Sequence, residues 1–335
     1  MRFGIGMYSA QNPPGSRRSH RDLYEDMLRQ ARLAEAAGLD SFWIAEHHFA
    51  EDGYAAAVIP ICAAVLGATT RLIAGTSVAI ASFYNPVRLA EDAIAADLIS
   101  GGRFVLGLGT GYRAEEFAGM GIAPDTDEAR LDETAAILEK AFTGRPFSYR
   151  GRFYDIPKLT VAPAPFTPGG PPIMLAGDGV VDRDAVRAAR RGNRYMIDPS
   201  LTLSEVSRLV ALYDAAYQGK PGMELPVFNY GFVSDDTDPW EEMREGFTYL
   251  RQTYDRWANR TVRDVHRENH RLILGNRQQV AEQVLEYHGM FGDRIHFVLR
   301  LDYPGQDPAR SDLAVERWGE VAAAVRRQLS NGEAS

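Results

Sequence analysis

Cysteine is the scarcest residue type in this chain, with one copy among 335 residues. Cys62 therefore has no partner for an internal disulfide, and its position in the apolar run 58–66 predicts a buried thiol that packs as a small hydrophobic side chain. No apolar run approaches the roughly 20 residues that a membrane-spanning helix needs. Residues 1–8 lack the charged start, apolar centre and cleavage site of a secretion signal. We therefore expect a cytoplasmic protein.

Positive charge is also in short supply. Lysine and arginine total 37 against 45 aspartates and glutamates, which gives a net charge of -8. Without an overall basic field, neither nucleic acid nor an anionic membrane is the expected partner. Hydrophobic residues make up 45% and charged residues 24%, a balance typical of a folded globular protein and not of a disordered one. The expected partner is a small molecule.

The commonest catalytic motifs are missing. The sequence has no nucleophile elbow, P-loop, zinc-ligand spacing or kinase signature, which excludes the commoner hydrolase, NTPase and metalloenzyme classes. The glycines at 107, 109 and 111 do not have the spacing of a dinucleotide fingerprint, and they follow the fourth predicted strand, not the first. We predict no metal site.

What the chain does have is a regular alternation of strand and helix patterns. Short β-forming apolar runs occur at 3–8, 41–46, 72–80, 104–108, 173–176, 194–197, 227–233 and 295–301. Helical patterns lie near 23–34, 54–68, 86–99, 128–141, 182–191, 203–217, 240–257, 277–289 and 313–329. The alternation predicts parallel strands joined by right-handed crossovers, in a closed barrel or an open sheet. Eight units favour a (β/α)8 TIM barrel, formed by 1–335 as a single domain.

Two segments do not fit the repeating unit. Residues 143–172 are rich in proline and glycine and too long for a normal connection, so we predict an excursion over the barrel. Residues 256–272 are polar and basic, and they are either a mobile lid or a solvated helix end.

The second predicted strand ends in the most chemically promising residues. Active sites of such barrels gather at the carboxyl ends of the strands, where this chain has Glu46, His47 and His48. Neighbouring histidines on an extended chain point to opposite faces, which argues against a metal-binding pair. His47 is therefore the candidate acid, base or hydrogen-bond donor, with Glu46 beside it.

Other strand ends are rich in small residues. Those of 72–80 would let a flat ring lie against the backbone, or would simply fit the taper of a barrel. Glycines at 107–111, with a helix opening near Arg113, favour a phosphate. The turn after the fifth strand places Asp178 where it would repel a phosphate, although Arg183 follows.

These residues resemble the bacterial luciferase-like flavin monooxygenases, and the likeness runs through nearly the whole chain in order. The matching motifs are Met1-Arg2-Phe3-Gly4, Glu46-His47-His48-Phe49, Gly75-Thr76, Asn85-Pro86-Val87-Arg88, Ala90-Glu91-Asp92, Gly102-Arg103-Phe104, Gly169-Gly170-Pro171-Pro172 and Leu274-Gly275-Asn276. Each motif alone is weak, but their order and spacing are specific, and the family's fold is the TIM barrel.

The resemblance implies an enzyme that takes reduced FMN from a separate flavin reductase and uses O2 to oxygenate a small organic substrate. His47 matches the histidine that this chemistry requires, and Glu46 matches its flavin-contacting neighbour. The family has a non-proline cis peptide beneath the flavin, which corresponds here to Ser77-Val78. The implied cofactor-binding residues are Glu46, Ser77, Val78, Thr110, Gly111, Tyr112, Ala176, Gly177 and Asp178.

The phosphate site departs from the luciferase branch. That branch has an arginine at the position of Thr110 and a Glu-Ser pair in place of Gly177-Asp178, so one positive charge and one hydroxyl are missing. Arg113 or Arg183 would have to substitute, or FMN binds weakly, as befits a flavin that is used as a substrate.

Two alternatives remain open within and beside this family. One is a deazaflavin-dependent oxidoreductase that transfers hydride, although the run from Glu46 to Phe49 looks more like the oxygen-using branch. The other is a non-catalytic flavin-binding accessory subunit, against which the presence of His47 argues. The family commonly pairs through the helices after the second and third strands, so we expect a homodimer. The substrate is not specified by the sequence; candidate aromatic walls for its pocket are Tyr8, Phe83, Tyr84, Tyr112 and Phe232.

Overall fold

A computed structural model describes residues 1–177, 181–219 and 223–332. Its strands are β1 (Arg2–Tyr8), β2 (Ser41–Ile44), β3 (Ile73–Thr76), β4 (Ala79–Ile80), β5 (Phe104–Gly109), β6 (Phe147–Arg150), β7 (Asp155–Leu159), β8 (Ile173–Ala176), β9 (Arg194–Met196), β10 (Leu225–Val233), β11 (Leu272–Gly275) and β12 (Ile295–Arg300). Its helices are α1 (His20–Ala36), α2 (Val58–Ala68), α3 (Pro86–Ser100), α4 (Ala114–Met120), α5 (Asp127–Ala141), α6 (Asp182–Arg191), α7 (Leu203–Ala216), α8 (Pro239–Trp257), α9 (Arg277–Phe291) and α10 (Pro308–Gly332).

The strands form the predicted barrel. Parallel neighbours follow one another in the order β10, β12, β1, β2, β3, β5, β8 and β9, and a parallel bridge between Ile197 and Val227 closes the circle. The bridge is made by the Ile197 amide, which donates to Pro226, and the Phe228 amide, which donates back to Ile197. β11, which was not predicted, pairs with the carboxyl-terminal half of β10, residues 230–233. The expected strand 72–80 is interrupted between β3 and β4.

The barrel interior is filled by large side chains that glycines accommodate. A Cβ atom on Gly6 would lie 2.4 Å from the Trp43 Cβ, and one on Gly75 would lie 2.5 Å from the Trp43 ring. Trp43 is 1% exposed and packs edge-on against Phe228. The small residue at 75 therefore fits the taper of the barrel, and this position is not a platform for a flat ligand. Outside the barrel, Cys62 is fully buried as predicted.

Local sequence signals place the helices where the structure has them. The Asn85 side chain accepts hydrogen bonds from the amides of Val87 and Arg88, and Pro86 occupies the first turn of α3. The same helix ends at Gly101, which has a φ of 64°. Helices α2 and α10 differ from expectation in their starts, since α2 begins at 58 and α10 already at 308.

The predicted excursion at 143–172 contains the β6–β7 hairpin, which packs on the outer helices. The Glu133 carboxylate of α5 accepts backbone hydrogen bonds from residues 152–154. Asp97 of α3, fully buried, accepts from both the amide and the hydroxyl of Thr167. These contacts fix the segment against α3 and α5.

Helix α8 lies across the mouth of the barrel, although it follows β10 in the chain. The hydroxyl of Tyr249 donates to Asp52, which follows β2. The ring of Phe247 packs against Tyr303, which follows β12. The sequence pattern predicted 240–257 only as a helix, because an apolar stripe looks alike whichever part of the barrel it covers. In the structure, α9 packs beside α10 in the outer layer.

Candidate active site at the barrel mouth

The carboxylate of Glu46 joins the end of β2 to the segment that contains β4. It is 4% exposed and accepts hydrogen bonds from His48 Nε2 at 2.6 Å, the Tyr84 hydroxyl at 2.8 Å and the Ile80 amide at 3.3 Å. Burial raises the pKa of Glu46, and the hydrogen bonds from His48 and Tyr84 oppose that rise. The side chain is therefore held in one orientation at the edge of the mouth.

His47 is oriented by a buried carboxylate. Its Nδ1 lies 2.8 Å from Oε1 of Glu116, and the same oxygen accepts the backbone amide of His48 at 2.7 Å. Glu116 is fully buried. A carboxylate on Nδ1 favours the tautomer that keeps the proton there, so Nε2 is the nitrogen that can accept a proton or a hydrogen bond in the site. This arrangement gives His47 the geometry of a general acid or base.

Glu116 is a functional residue that the sequence reading did not identify. It belongs to α4, whose start at 114 confirms the predicted helix opening near Arg113. The first turn of α4 holds two glutamates, 115 and 116, so it would not favour a phosphate. The sequence does contain one signal for Glu116. It is an acid next to Phe117, an apolar residue of the kind that is usually buried, in a short helix that follows a barrel strand.

Aromatic rings enclose His47. Its ring centroid lies 4.7 Å from Trp257, 4.8 Å from Tyr54, 5.5 Å from Tyr112 and 5.9 Å from Tyr254. Of the five aromatic residues expected to line the substrate pocket, Tyr112 lies at His47, and Phe232 is buried in β10. Tyr84 instead binds Glu46, Phe83 packs on His48, and Tyr8 stacks on Phe42 and donates a hydrogen bond to Gln30.

The segment predicted as a lid begins with the ring that covers His47. Trp257 ends α8 and stacks under the Arg113 guanidinium, whose carbon is 4.5 Å from the ring centroid. Beyond it, residues 259–264 are mostly exposed. His47 is therefore covered by the last turn of α8. Only the end of that turn belongs to the segment predicted as a lid, and the rest of the turn precedes it.

The peptide bond between Ser77 and Val78 is cis, which confirms the expectation from the resemblance. The Ser77 amide donates to the Ile44 carbonyl, so the bond lies beside the end of β2. The buried hydroxyl of Ser77 has no hydrogen-bond partner among the described residues. A Cβ on Gly109 would lie 2.5 Å from Val78 Cγ2, so the end of β5 approaches this bond closely. Glu46, Ser77 and Val78 thus come together.

The remaining predicted cofactor residues follow β5 and β8. Gly111 has a φ of 79°, and a Cβ there would lie 2.8 Å from Ile80 Cγ2. Thr110 is partly exposed and Tyr112 is 46% exposed. Ala176 and Gly177 are partly buried at the end of β8. Asp178 lies outside the described residues.

Both arginines considered for a phosphate already have carboxylate partners. Arg113 contacts Glu115 at 3.5 Å and Glu116 at 4.0 Å, and it donates to the His48 carbonyl. Arg183 pairs with Glu128. These contacts commit Arg113 to the His47 cluster and Arg183 to α5. No set of three or more His, Cys, Asp or Glu side chains is placed to hold a metal ion within the ranges that the structure describes.

Comparison with known sequences supports this picture. The sequence profile of the luciferase-like monooxygenases matches residues 1–294. The chain is 25% identical to the oxygenase component of flavin-dependent trigonelline monooxygenase from Acinetobacter baylyi, over 71% of this chain and 66% of that one. It is 28% identical to the alkanal monooxygenase alpha chain of Photobacterium phosphoreum, over 78% of this chain and 73% of that one. The match to an uncharacterised Sinorhizobium fredii protein, y4vJ, spans about half of that relative, 55%.

Solved structures share the fold. Monooxygenase RslO1 from Streptomyces bottropensis superimposes with a TM-score of 0.82 at 23% identity, covering 97% of this chain and 99% of that one. The oxygenating constituent of 3,6-diketocamphane monooxygenase from Pseudomonas putida, in complex with FMN, gives 0.78 at 19% identity, covering 97% and 98%. An F420-dependent secondary alcohol dehydrogenase gives 0.73 at 16% identity, covering 97% and 98%.

No helix in the described ranges has both the length and the apolar character that crossing a bilayer requires.

The profile match extends from β1 to the end of the last barrel crossover and includes Glu46, His47, Glu116 and the cis bond. The chain belongs to the luciferase-like monooxygenase family.

Proposed function

We propose that this chain is the oxygenase component of a two-component monooxygenase, which uses reduced FMN from a separate flavin reductase and O2 to oxygenate a small organic substrate. The observation that carries the proposal is the buried His47–Glu116 pair just after β2, whose last residue, Ile44, accepts the Ser77 amide. It combines an oriented acid–base group with a small-residue strand end where a flavin ring would be bound.

The residues around this strand end fit a flavin. The buried Ser77 hydroxyl, unpartnered among the described residues, offers a donor, and Val78 beside it is partly exposed. Glu46 is fixed beside them. When bound, reduced FMN would supply the two electrons that convert one oxygen atom of O2 to water while the other enters the substrate.

The role of the chain's own residues follows from their hydrogen bonds. Glu116 holds the Nδ1 proton of His47, and Nε2 takes up or returns a proton at the reacting oxygen. Tyr54, Tyr254 and Trp257 exclude water from the ring. For the phosphate, we propose the backbone around Thr110, Gly111, Tyr112, Ala176 and Gly177, with weak binding because the neighbouring arginines are paired.

The test is a pair of anaerobic titrations, one with reduced FMN and one with reduced deazaflavin, each followed by admission of O2. Saturable binding of reduced FMN and a changed rate of its reoxidation relative to free flavin would support the proposal. Binding of the deazaflavin alone, without reaction with O2, would replace it with hydride transfer, the second candidate. Binding of reduced FMN with reoxidation identical to that of free flavin would leave only an accessory role.

We also propose a homodimer that pairs through α2 and α3. Helix α2 has no charged residue, yet Pro60, Ala64 and Gly67 on it are exposed. Beside it on α3, Leu98 and Ile99 are 41% and 60% exposed. A second copy would cover this apolar face. Light scattering should report a dimer, and Ile99→Asp should give a folded monomer; a wild-type monomer would contradict the proposal.

A further inference from the structure

The carboxylate of Glu116 is a buried acid whose hydrogen bonds come from a histidine ring and a peptide amide. Oε1 accepts His47 Nδ1 at 2.8 Å and the His48 amide at 2.7 Å. Oε2 is buried and has no hydrogen-bond partner in the part of the chain that the structure describes. Two neutral donors do not offset the cost of burying a carboxylate. A cation is therefore needed beside Glu116 if this acid is to stay ionised and hold the Nδ1 proton of His47.

Arg113 supplies that cation. Its Nη1 lies 4.0 Å from Oε1 of Glu116, and no other arginine or lysine of the described ranges comes within 4.0 Å of this carboxylate. The distance is too long for a hydrogen bond, so the side chain of Arg113 acts on Glu116 through its charge. The Arg113 carbonyl also accepts the Glu116 amide at 3.0 Å, because Arg113 caps the amino end of α4. Both the side chain and the backbone of Arg113 therefore act on Glu116.

Arg113 is itself held by groups that carry no charge. Nη1 donates to the His48 carbonyl, and the guanidinium carbon lies 4.5 Å from the centroid of the Trp257 ring. The backbone of His48 thus accepts from Arg113 and donates to Glu116. Glu115 also contacts Arg113 at 3.5 Å, but its side chain is 65% exposed, and an ion pair with an exposed acid contributes little. Glu116 is therefore the buried charge that Arg113 balances.

The charge of this cluster decides which nitrogen of His47 carries a proton. With Arg113 positive and Glu116 negative, a neutral His47 gives the cluster no net charge. Without Arg113, the same neutral histidine leaves one buried negative charge, which the His47–Glu116 pair can cancel by taking up a proton. A proton on the histidine puts one on each ring nitrogen, and a proton on Glu116 is donated to Nδ1 and moves the histidine proton to Nε2. In either case, Nε2 can no longer accept a proton.

The other titratable groups at the His47 ring do not replace the charge of Arg113. Among the described residues, they are the phenols of Tyr54, Tyr112 and Tyr254. Burial raises the pKa of Tyr54 and of Tyr112, so neither carries a charge at neutral pH. The hydroxyls of Tyr54 and Tyr254 are 2.9 Å apart and bond to each other. The charges that face the histidine are therefore those of Glu116 and Arg113.

We propose that Arg113 is a positioning residue, whose charge keeps Glu116 ionised and thereby leaves Nε2 of His47 free to accept a proton at neutral pH. This inference rests on the proposed monooxygenase function only for the use that the reaction makes of Nε2. It gives Arg113 a role different from the phosphate contact that its sequence position suggested. A guanidinium suits this place because it stays charged when it is desolvated and can stack on an aromatic ring.

The test follows the protonation of His47 by NMR in the full chain, with ¹⁵N-labelled histidine and without flavin or substrate. The signals of His47 are identified by their absence from His47→Gln, and the pH is varied around neutrality. Wild type should carry a proton on Nδ1 and none on Nε2 at neutral pH. In Arg113→Met, the proton affinity of Nε2 should rise at least about tenfold, because a buried positive charge 4.0 Å from the carboxylate is lost. Arg113→Lys, which keeps the charge, and Glu115→Gln, which removes only the exposed acid, should titrate like wild type.

A second pair of variants decides the question even if Arg113→Met does not fold. Glu116→Gln removes the carboxylate, and the double variant Glu116→Gln/Arg113→Met removes both charges, so that neither is left buried alone. The proton affinity of His47 should be at least about tenfold higher in the double variant than in Glu116→Gln. Equal affinities in these two variants would overturn the proposal. So would a wild-type titration in folded Arg113→Met, or an Arg113→Lys variant that titrates like Arg113→Met.

Turnover separates this inference from the function on which it rests. In Arg113→Met, kcat at neutral pH should fall about tenfold while the KM for substrate changes little, since Arg113 acts through Glu116 and His47. An unchanged kcat in a variant whose Nε2 is protonated would overturn the positioning role. The expected change in the NMR titration, in a chain that leaves FMN reoxidation unaltered, would support the role of the Arg113 charge and refute the monooxygenase.

Discussion

Strand β2 runs between two buried histidines, and each histidine lies beside a carboxylate. One is at the mouth of the barrel. The other is at the opposite end, where the strands begin, which we call the closed end. At the closed end, His296 Nε2 is 2.6 Å from the Ser41 hydroxyl and Nδ1 is 3.2 Å from Glu224. At the mouth, His47 Nδ1 is 2.8 Å from Glu116. The closed end has the composition of a Ser-His-Glu hydrolytic triad, whereas the mouth has a simpler pair.

The two ends differ in what remains free to react. Ser41 is fully buried, and its oxygen already accepts a hydrogen bond from Trp43 Nε1 at 2.8 Å. Glu224 is held by Arg2 and Arg194, each at 3.0 Å. His47 instead keeps one ring nitrogen for the mouth. A catalytic set of residue types is therefore not a site unless one of its atoms is left unsatisfied and accessible, and here only the mouth meets this condition.

The largest expected effect is on turnover when His47 is removed. We expect His47→Ala to lower oxygenation by about 10²- to 10⁴-fold, because the acid–base group is lost while Glu46 and the Ser77 region are unchanged. Product formation with reduced FMN is the measurement, and the melting temperature and flavin affinity are its controls. Wild-type turnover in a folded variant would exclude a catalytic role for His47.

At the closed end, the same kind of substitution should act on stability. His296→Ala removes a buried ring and leaves the Ser41 hydroxyl and Glu224 without it, so we expect a loss of about 3 kcal/mol in the free energy of unfolding. Urea unfolding measures this loss. Turnover of the folded fraction should stay within about twofold of wild type. A selective loss of turnover at unchanged stability would show that His296 acts in catalysis and is not a structural residue as proposed.

Glu116→Gln should sharpen the comparison by removing a charge and keeping the shape. An amide can donate as well as accept, so the proton on His47 is no longer fixed at Nδ1, and we expect kcat to fall about 100-fold. The KM for substrate should change little, since Glu116 contacts the histidine and not the ligand pocket. Glu115→Gln, at the exposed neighbouring position, is the matched control, and an equal loss in both variants would exclude a positioning role for Glu116.

Sequence reasoning reached the barrel and the mouth by different routes. The alternation of strands and helices predicted parallel strands joined by helical crossovers, because each strand needs an apolar run and each crossover a helical period. The count of eight such units then favoured the (β/α)8 barrel over an open sheet. The position of Glu46 and His47 at a strand end predicted the site. The cis bond at Ser77-Val78 came only from the family resemblance, since no local pattern of residue types specifies it.

What the sequence could not predict are contacts between distant segments. Glu116 lies 69 positions from His47, and no local pattern links them. The position of α8 over the mouth depends on the surface against which its apolar stripe packs. Periodicity predicts the helix but not that surface. The contacts of Arg113 could not be predicted for the same reason. This cation, expected near a phosphate, pairs with acids and stacks on Trp257.

Acid should affect the two ends in opposite directions. At the closed end, burial of Glu224 would raise its pKa, but His296, Arg194 and Arg2 outweigh burial and lower the pKa to about 2. Its stabilising contribution is present above its usual pKa of about 4.5 and is lost as the pH falls toward 2. At the mouth, burial raises the pKa of Glu46, so protonation of that group favours the folded state as the pH falls toward its usual pKa.

The smallest predicted effect follows from this difference. Glu224→Gln should be about 2 kcal/mol less stable than wild type at pH 7, because it loses a paired carboxylate. The gap should shrink as urea unfolding is repeated at successively lower pH, since the wild type then loses the same contribution. Glu46→Gln should show the reverse trend, with its stability relative to wild type greatest at neutral pH, where it removes the cost of a buried charge. Parallel pH dependence in the two variants would mean that the carboxylates at the two ends of the barrel do not differ in the way their surroundings imply.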